Sequence, residues 1–454
     1  MQFHLKRNGI WSVAETLCST AILFLLYRIV VIKLGLEALG IWSLVLATTS
    51  LMRLADAGTA SGLVRFIATA REEERKSTAR DYIDTAILTN LALYVLLALA
   101  FYLPAKQGIP LAIRTPAAAL EAQGLLPYAL ASFVLGNIAA TTNSTLVGLH
   151  RSDLKSAVII GGLLIQAMSS VVLIPQFGLA GLAQAQILQS CFCIITNLII
   201  AKYILYKTVG VLVPHRWNWH SFKELVRFGS QLQAAGLIVF LYDPISKFLM
   251  SMFGGLEAAG LFEVANRLVF QTRAIVISPI QSLVPAFASA KVNAPDRVAG
   301  LYTSSMGVTM TLGIPAFALL TLASPLASLA LIGNINELFI LFVALLAFGW
   351  LANLLSVPAY FMGIGVGQLR WNILGNSLIT ATCGSTGLVL GWTFGAIGVG
   401  CAAALAQAIG ALVIIVMNCR DQQVRRLPGP VAAWRTLLIR LNPPISMSER
   451  STKP

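Results

Sequence analysis

Apolar positions in this chain gather into runs of about 20 residues or more, interrupted by short polar stretches and lacking the two-residue alternation of half-buried strands. That pattern predicts membrane-spanning helices. The runs fall at roughly 9–33, 39–63, 82–104, 125–147, 156–175 and 178–203, and again at roughly 228–252, 258–286, 301–323, 336–362, 371–391 and 395–418. The expected fold is therefore an all-α polytopic membrane protein of about twelve transmembrane helices.

Two phrases are written twice. Leu36-Glu37-Ala38-Leu39-Gly40-Ile41-Trp42 returns 220 residues later as Leu256-Glu257-Ala258-Ala259-Gly260-Leu261-Phe262. Phe177-Gly178-Leu179-Ala180-Gly181 returns 217 residues later as Phe394-Gly395-Ala396-Ile397-Gly398. Each recurrence falls at the corresponding helix of its half, which implies two related six-helix bundles. An even number of spans per half gives both the same orientation, so the repeat is parallel, with its axis along the membrane normal and a central cavity between the bundles. The expected division is 1–206 for the first bundle, 207–227 for a cytoplasmic connection, 228–419 for the second bundle and 420–454 for a basic cytoplasmic tail.

Composition agrees with the pattern and narrows the partners. A mean hydropathy of +0.79, with 57% hydrophobic and 11% charged residues, lies outside the range of soluble globular chains. The net charge of +14 does not indicate nucleic acid, because the bases form no stripe interleaved with aromatics. They sit mostly in the short connections or at span ends: of the 32 Lys and Arg residues, Lys33, Lys106 and Arg114 fall outside, five lie well inside spans, and the rest are on the cytoplasmic side when both termini are placed there. The first run follows Lys6 and Arg7 and has no small-residue cleavage site, so it reads as a retained helix. The tail reads as a segment attracted to anionic headgroups.

Several chemistries have no support. The six cysteines lie in or at the ends of apolar runs, and Cys191 and Cys193 have no nearby His or Cys to complete a metal site. No phosphate loop of the G-x-x-x-x-G-K-[ST] type is present, and no Ser, His and Asp set suggests nucleophilic catalysis. Asn143-Ser144-Thr145 fits a glycosylation acceptor but falls inside a predicted span, where it reads as packing.

The candidate chemistry lies in nine ionisable residues set inside the spans, away from the last three positions at either end: Glu15, Arg28, Arg53, Asp56, Asp243, Lys247, Glu263, Arg267 and Arg273. Each is costly in lipid, so each is expected to face a bundle interior or a water-filled cavity. Asp243 with Lys247, and Glu263 with Arg267, are spaced i, i+4; Arg53 with Asp56 is spaced i, i+3, so each pair shares a helical face. One reading makes these structural pairs that let polar helices pack. The other makes the acids counterions or ion-coupling sites and the bases ligands for an anionic substrate. Clustering on helices 1, 2, 7 and 8, the equivalent helices of each half, favours the second. Arg28 and Arg273 have no acid at helical spacing; Arg28 lies near a helix end from which it could snorkel, whereas Arg273 lies deeper and is the first choice for a phosphate contact. Pro244, Pro279, Pro285 and Pro315 interrupt spans and are candidate bending points.

Leu34-Gly35-Leu36-Glu37-Ala38-Leu39-Gly40-Ile41-Trp42-Ser43-Leu44, with Asp56-Ala57-Gly58 and Leu63-Val64-Arg65-Phe66, resembles the polysaccharide-export flippases of the multidrug/oligosaccharidyl-lipid/polysaccharide (MOP) superfamily. Arg227-Phe228-Gly229, Tyr242-Asp243 and Gly260-Leu261-Phe262-Glu263-Val264-Ala265-Asn266-Arg267-Leu268 look like that family's seventh and eighth helices. The resemblance implies a V-shaped pair of six-helix bundles in a bacterial inner membrane. These would move a polyprenyl-diphosphate-linked oligosaccharide to the outer leaflet by alternating access, as a transporter rather than an enzyme and without a cofactor. It implies Arg53, Lys247, Arg267 and Arg273 as headgroup ligands, Asp56, Asp243 and Glu263 as counterions or sites of proton or sodium coupling, and a glycan polymerase as a potential partner. An ion-coupled multidrug or cation antiporter of the same superfamily, and a membrane glycan polymerase or ligase, are the alternatives. The excess of embedded bases over acids argues against the first, and an outer connection at 107–124 with Arg114 as its single arginine argues against the second.

Overall fold

In the computed structural model, residues 2–424 are described apart from 53–58, 73–75, 114, 235–236, 282–286, 288–289 and 292–296. All regular structure among them is helical. The order is α1 (Gln2–Leu34), α2 (Leu36–Ser50), α3 (Thr59–Glu72), α4 (Lys76–Ala112), α5 (Pro116–Gly148), α6 (Ser152–Phe177) and α7 (Leu179–Tyr206). After the central connection come α8 (Trp219–Ala234), α9 (Leu237–Gln281), α10 (Arg297–Leu322), α11 (Ser324–Leu331), α12 (Glu337–Gly365) and α13 (Arg370–Asp421).

Nine of these described helices are long and apolar enough to cross a membrane. Two of the nine are pairs of helices joined end to end, because α9 breaks its helical backbone at Gly255 and α13 at Gly395. Divided there, and counted with the shorter apolar α2, they account for the twelve expected segments. Large apolar side chains stand exposed along the outer faces, as with Leu96, Leu99 and Leu103 of α4, each more than 60% exposed. A surface of that kind is stable in lipid and a liability in water. The protein is an all-helical, multi-pass membrane protein.

The helices differ from expectation mainly at their ends. The connection expected at 107–124 is largely helical, since α4 runs to Ala112 and α5 begins at Pro116, with Pro at its first turn where a missing N–H costs nothing. The seventh span is preceded by a separate helix, α8, whose Trp219 and Phe222 stack on each other and meet Trp217 at a tilt. Such an aromatic cluster suits a helix at a membrane interface. The backbone stays helical through Pro244 and turns at Gly255, so the break in this region is a glycine rather than the proline. Pro315 lies within α10, and Pro285 is outside the described residues.

Contacts group the chain into two compact units, 1–263 with 329–334, and 264–328 with 335–454. This partition divides α9, whereas the expected boundary at 207–227 follows the sequence repeat, and compactness does not test a repeat. Unit 1 packs Leu63, Ile67, Ile83, Ile87, Tyr94 and Leu146 between α3, α4 and α5. Unit 2 packs Tyr302 and Met306 of α10 against Met362 of α12 and Ile414 of α13.

The repeated phrases adopt repeated conformations. Gly35 (φ 90, ψ 172) and Gly255 (φ 81, ψ 174) precede the first phrase in its two copies. Gly178 (φ 59, ψ −135) and Gly395 (φ 58, ψ −136) open the second. These left-handed angles are open to glycine and strained for other residues. The later glycines serve close approach: a Cβ on Gly181 would strike the Leu173 carbonyl, and one on Gly398 would strike the Leu390 carbonyl. Within unit 1, the two copies of the first phrase lie against each other. A Cβ on Gly40 would fall on the Leu256 carbonyl, and one on Gly260 on the Leu36 carbonyl. The contact is reciprocal, residue for equivalent residue, as a two-fold relation requires.

Candidate functional site

The glycine crossing in unit 1 brings backbones together, and the side chains one turn further along meet above it. Glu263, three residues past Gly260, receives a hydrogen bond from Tyr27 Oη on its Oε1 (2.7 Å) and one from Ser43 Oγ on its Oε2 (3.0 Å). Lys247 Nζ lies 2.8 Å from Glu263 Oε2 and 2.8 Å from Asp243 Oδ2. Side-chain exposure separates the members: Lys247 is 4% and Glu263 3% exposed, against 44% for Asp243.

The same 220-residue offset that relates the glycines relates this cluster. Tyr27 is the counterpart of Lys247, and Ser43 the counterpart of Glu263. One half thus contributes two hydroxyls and the other an ammonium and a carboxylate, at equivalent positions about the crossing. A buried carboxylate needs donors and a compensating charge, and this arrangement supplies both. The expected i, i+4 pairing of Asp243 with Lys247 is present. The structure adds that Lys247 is shared with Glu263, sixteen positions on and past the Gly255 break.

A second cluster lies in unit 2. Asn266, Phe270 and Arg273 recur at spacings of four and three on the latter part of α9, so they share one face. That face meets α12. Arg273 Nε donates to Asn353 Oδ1 at 3.0 Å, and its guanidinium carbon lies 5.0 Å from the centre of the Trp350 ring, a cation–π distance. Trp350 Nε1 donates to Asn266 Oδ1 at 3.3 Å, and Phe270 meets the same ring edge-on. Asn353 Nδ2 in turn donates to Gln407 Oε1 of α13 at 2.9 Å. Among the described residues Arg273 has no acidic partner, and its two Nη groups make no hydrogen bond.

The remaining expected residues separate. Glu15 of α1 is bonded by Lys155 Nζ at 2.7 and 2.8 Å and by Ser156 Oγ at 2.6 Å, which makes it half of an α1–α6 tie rather than a partner for the bases of the other helices. Arg28 is half-buried, with a buried Nη1 that has no hydrogen-bond partner and that lies 3.2 Å from where a Cβ on Gly333 would stand. Arg267 is half-buried and is not a free charge. Arg53 and Asp56 fall outside the described residues, although Arg53 stands 220 positions before Arg273.

Other polar groups lie outside the expected set. Asp84 of α4 is wholly buried; Arg80 stands 3.5 Å away, and the backbone N–H of His215 donates to it at 3.3 Å. With Thr85 and Thr89, which accept from Asn218 N and Trp217 Nε1, it fastens the central connection to α4. Asn143, the potential glycosylation acceptor, is inside α5 and accepts from Asn197 Nδ2 at 2.8 Å, as packing requires. No group of His, Cys, Asp and Glu capable of holding a metal exists among the described residues.

The family model described as polysaccharide biosynthesis protein matches residues 5–291. No curated protein sequence matches the chain. Its fold is similar to an inward-facing multidrug resistance MATE family transporter of the MOP superfamily, at TM-score 0.76 and 16% identity over 89% of this chain and 94% of that one. It is similar also to the lipid II flippase MurJ in an inward closed conformation, at TM-score 0.70 and 12% identity over 95% and 91%. A MOP superfamily transporter from Pyrococcus furiosus aligns at TM-score 0.59 and 17% identity over 92% and 96%. At these identities the likeness is one of fold.

Proposed function

The chain belongs to the polysaccharide biosynthesis protein family, and from that premise we propose that it is a flippase carrying a polyprenyl-diphosphate-linked oligosaccharide across a bacterial inner membrane by alternating access. The observation that carries the reading is Arg273: a cation within a membrane span, with two Nη groups uncommitted among the described residues, flanked by an indole ring and a chain of amides. A guanidinium fork suits a diphosphate. Amides and an aromatic face suit the sugars attached to it. A cationic drug would find no such complement, and the P. furiosus relative is itself described by a reversed pocket polarity that suggests a different function, so polarity is the property to compare within this fold.

In this reading Arg273 is the principal headgroup ligand, with Arg267 of the same unit as a further cationic contact. Lys247 acts by holding two carboxylates. Asp243 is the acid best placed for proton or sodium coupling, because Lys247 and Glu263 beside it are almost sealed from solvent and it is not. The protein forms no covalent intermediate, uses no cofactor and hands its cargo to a glycan polymerase on the outer face, with both of its own termini inside.

The test is lipid extraction from cells lacking the protein. A polyprenyl-diphosphate oligosaccharide should accumulate, inaccessible to an outer-face glycan probe, and restoring the gene should reverse this. A normal lipid-linked pool with unaltered surface polysaccharide would refute the reading and direct attention to cation export.

A further inference from the structure

Within unit 1, the ends of α3 to α7 that carry the basic connections surround a cavity of about 680 Å3. Its walls are apolar, from Ala70, Ala79, Leu154, Ile200 and Ile204 among others, and two bases, Arg151 and Lys207, stand at its edge. Ile199 and Tyr203, also lining residues, are 36% and 54% exposed, so one side of the cavity opens on the outer, lipid-facing surface of α7. The volume lies within the range of small-molecule sites.

Both bases keep binding capacity. Arg151 Nε and one Nη donate to the Asp153 carboxylate at 3.0 and 3.2 Å, which leaves the other Nη uncommitted among the described residues. Lys207 Nζ has no acidic partner among the described residues and only the Tyr203 ring, 5.5 Å away, beside it. Lys207 also caps α7 in the left-handed conformation, at φ 57 and ψ 26, where glycine is the unstrained choice. A lysine is therefore held there against its backbone preference, at the mouth of an apolar cavity.

We propose that this cavity binds an anionic glycerophospholipid from the adjoining leaflet, with the phosphate between Arg151 and Lys207 and acyl chain in the apolar interior. Basic pockets between membrane helices recognise anionic headgroups in this way. The site involves none of the residues assigned to the transported substrate, so the two readings stand or fall separately.

The experiment uses the full-length protein in phosphatidylcholine nanodiscs with a trace of phosphatidylglycerol bearing a photoreactive acyl chain, the labelled peptides being mapped by mass spectrometry. Label should concentrate on 149–154 and 199–205 relative to the exposed Leu96–Leu103 face of α4. Lys207→Gly, which relieves the left-handed strain, should preserve folding and lower that label about fivefold, the factor for about 1 kcal/mol per base at a membrane surface. Ala79→Phe, which fills the cavity without changing charge, should lower it too. Equal labelling by photoreactive phosphatidylcholine, or label unchanged in both variants, overturns the proposal. Loss of label on adding inorganic phosphate would overturn it in favour of a free-anion site.

Discussion

The Glu263 cluster of unit 1 and the Arg273 cluster of unit 2 both place charge within membrane spans, and they handle it in opposite ways. Around Glu263 each charge meets its complement: two hydroxyls and an ammonium converge on the carboxylate, and the ammonium is shared with a second acid. Around Arg273, among the described residues, the charge meets only neutral groups such as an amide and an indole face. Desolvating an ion is tolerable when a partner and hydrogen bonds offset it, and a closed cluster has nothing left to offer a ligand. A cation held by neutral partners keeps its full charge for an incoming anion. Sequence spacing paired Asp243 with Lys247 and left Arg273 without an acid; the partners from other helices complete the difference between tie and receptor.

The contrast predicts failure of the fold in one region and failure of binding in the other. The largest effect belongs to the crossing beneath Glu263. Gly40→Ala or Gly260→Ala would drive a Cβ into a facing carbonyl, which only separation of the backbones can relieve, and should cost more than about 4 kcal/mol. Loss of monodisperse protein on size exclusion is expected for both, while Gly108→Ala, where a Cβ meets open space, should behave as wild type. Normal yields of the Gly40 variant would show that the crossing is not the close contact described.

Next in size is the buried pair itself. Lys247→Met leaves Glu263 uncompensated and should cost roughly 3 to 5 kcal/mol of stability in a denaturant titration. Adding Glu263→Gln should restore most of it. Equal losses for the single and double variants would mean the two groups are not coupled.

How far these regions were legible in advance follows from what each depends on. Helix number and the repeat were readable because they rest on apolar run length and on glycines whose backbone angles or close approach admit no other residue, as at Gly35, Gly255, Gly40 and Gly260. The Asp243–Lys247 pair was readable because i, i+4 contacts are local. Tyr27 and Ser43 were not, since each reaches Glu263 across more than 200 residues, although extending the 220-residue offset from the glycines to their neighbours would have singled both out. Asn353, Gln407 and Trp350 had no signal beyond being polar or amphipathic residues in apolar helices, and the partner of Glu15 was not readable because Lys155 sits just outside the span predicted for α6.

In unit 2 the expected effect is on ligand binding. Arg273→Ala should leave the protein level unchanged and reduce export by about 10- to 150-fold, corresponding to about 1.5 to 3 kcal/mol for a hydrogen bond to a charged group. Arg273→Lys should fall between, because an ammonium keeps the charge and loses the fork. Full export by Arg273→Ala at normal expression would remove this residue from the site and leave its indole and amide partners as packing.

The smallest effect on stability, and the one that divides the Glu263 cluster internally, is expected at Asp243. Its carboxylate is 44% exposed, so solvent screening reduces what its pairing with Lys247 contributes, and Asp243→Asn should change stability by less than about 1 kcal/mol. Glu263 retains Lys247, Tyr27 and Ser43 in that variant, so the helix crossing keeps its buried tie. If Asp243 is the exchangeable acid, transport by Asp243→Asn in sealed vesicles should no longer respond to an imposed proton or sodium gradient, while the stability of the protein stays near that of wild type. An unchanged response would place coupling elsewhere and make the whole cluster structural. A large loss of stability would mean that the exposed carboxylate is as much a part of the tie as the buried one, erasing the distinction drawn between them.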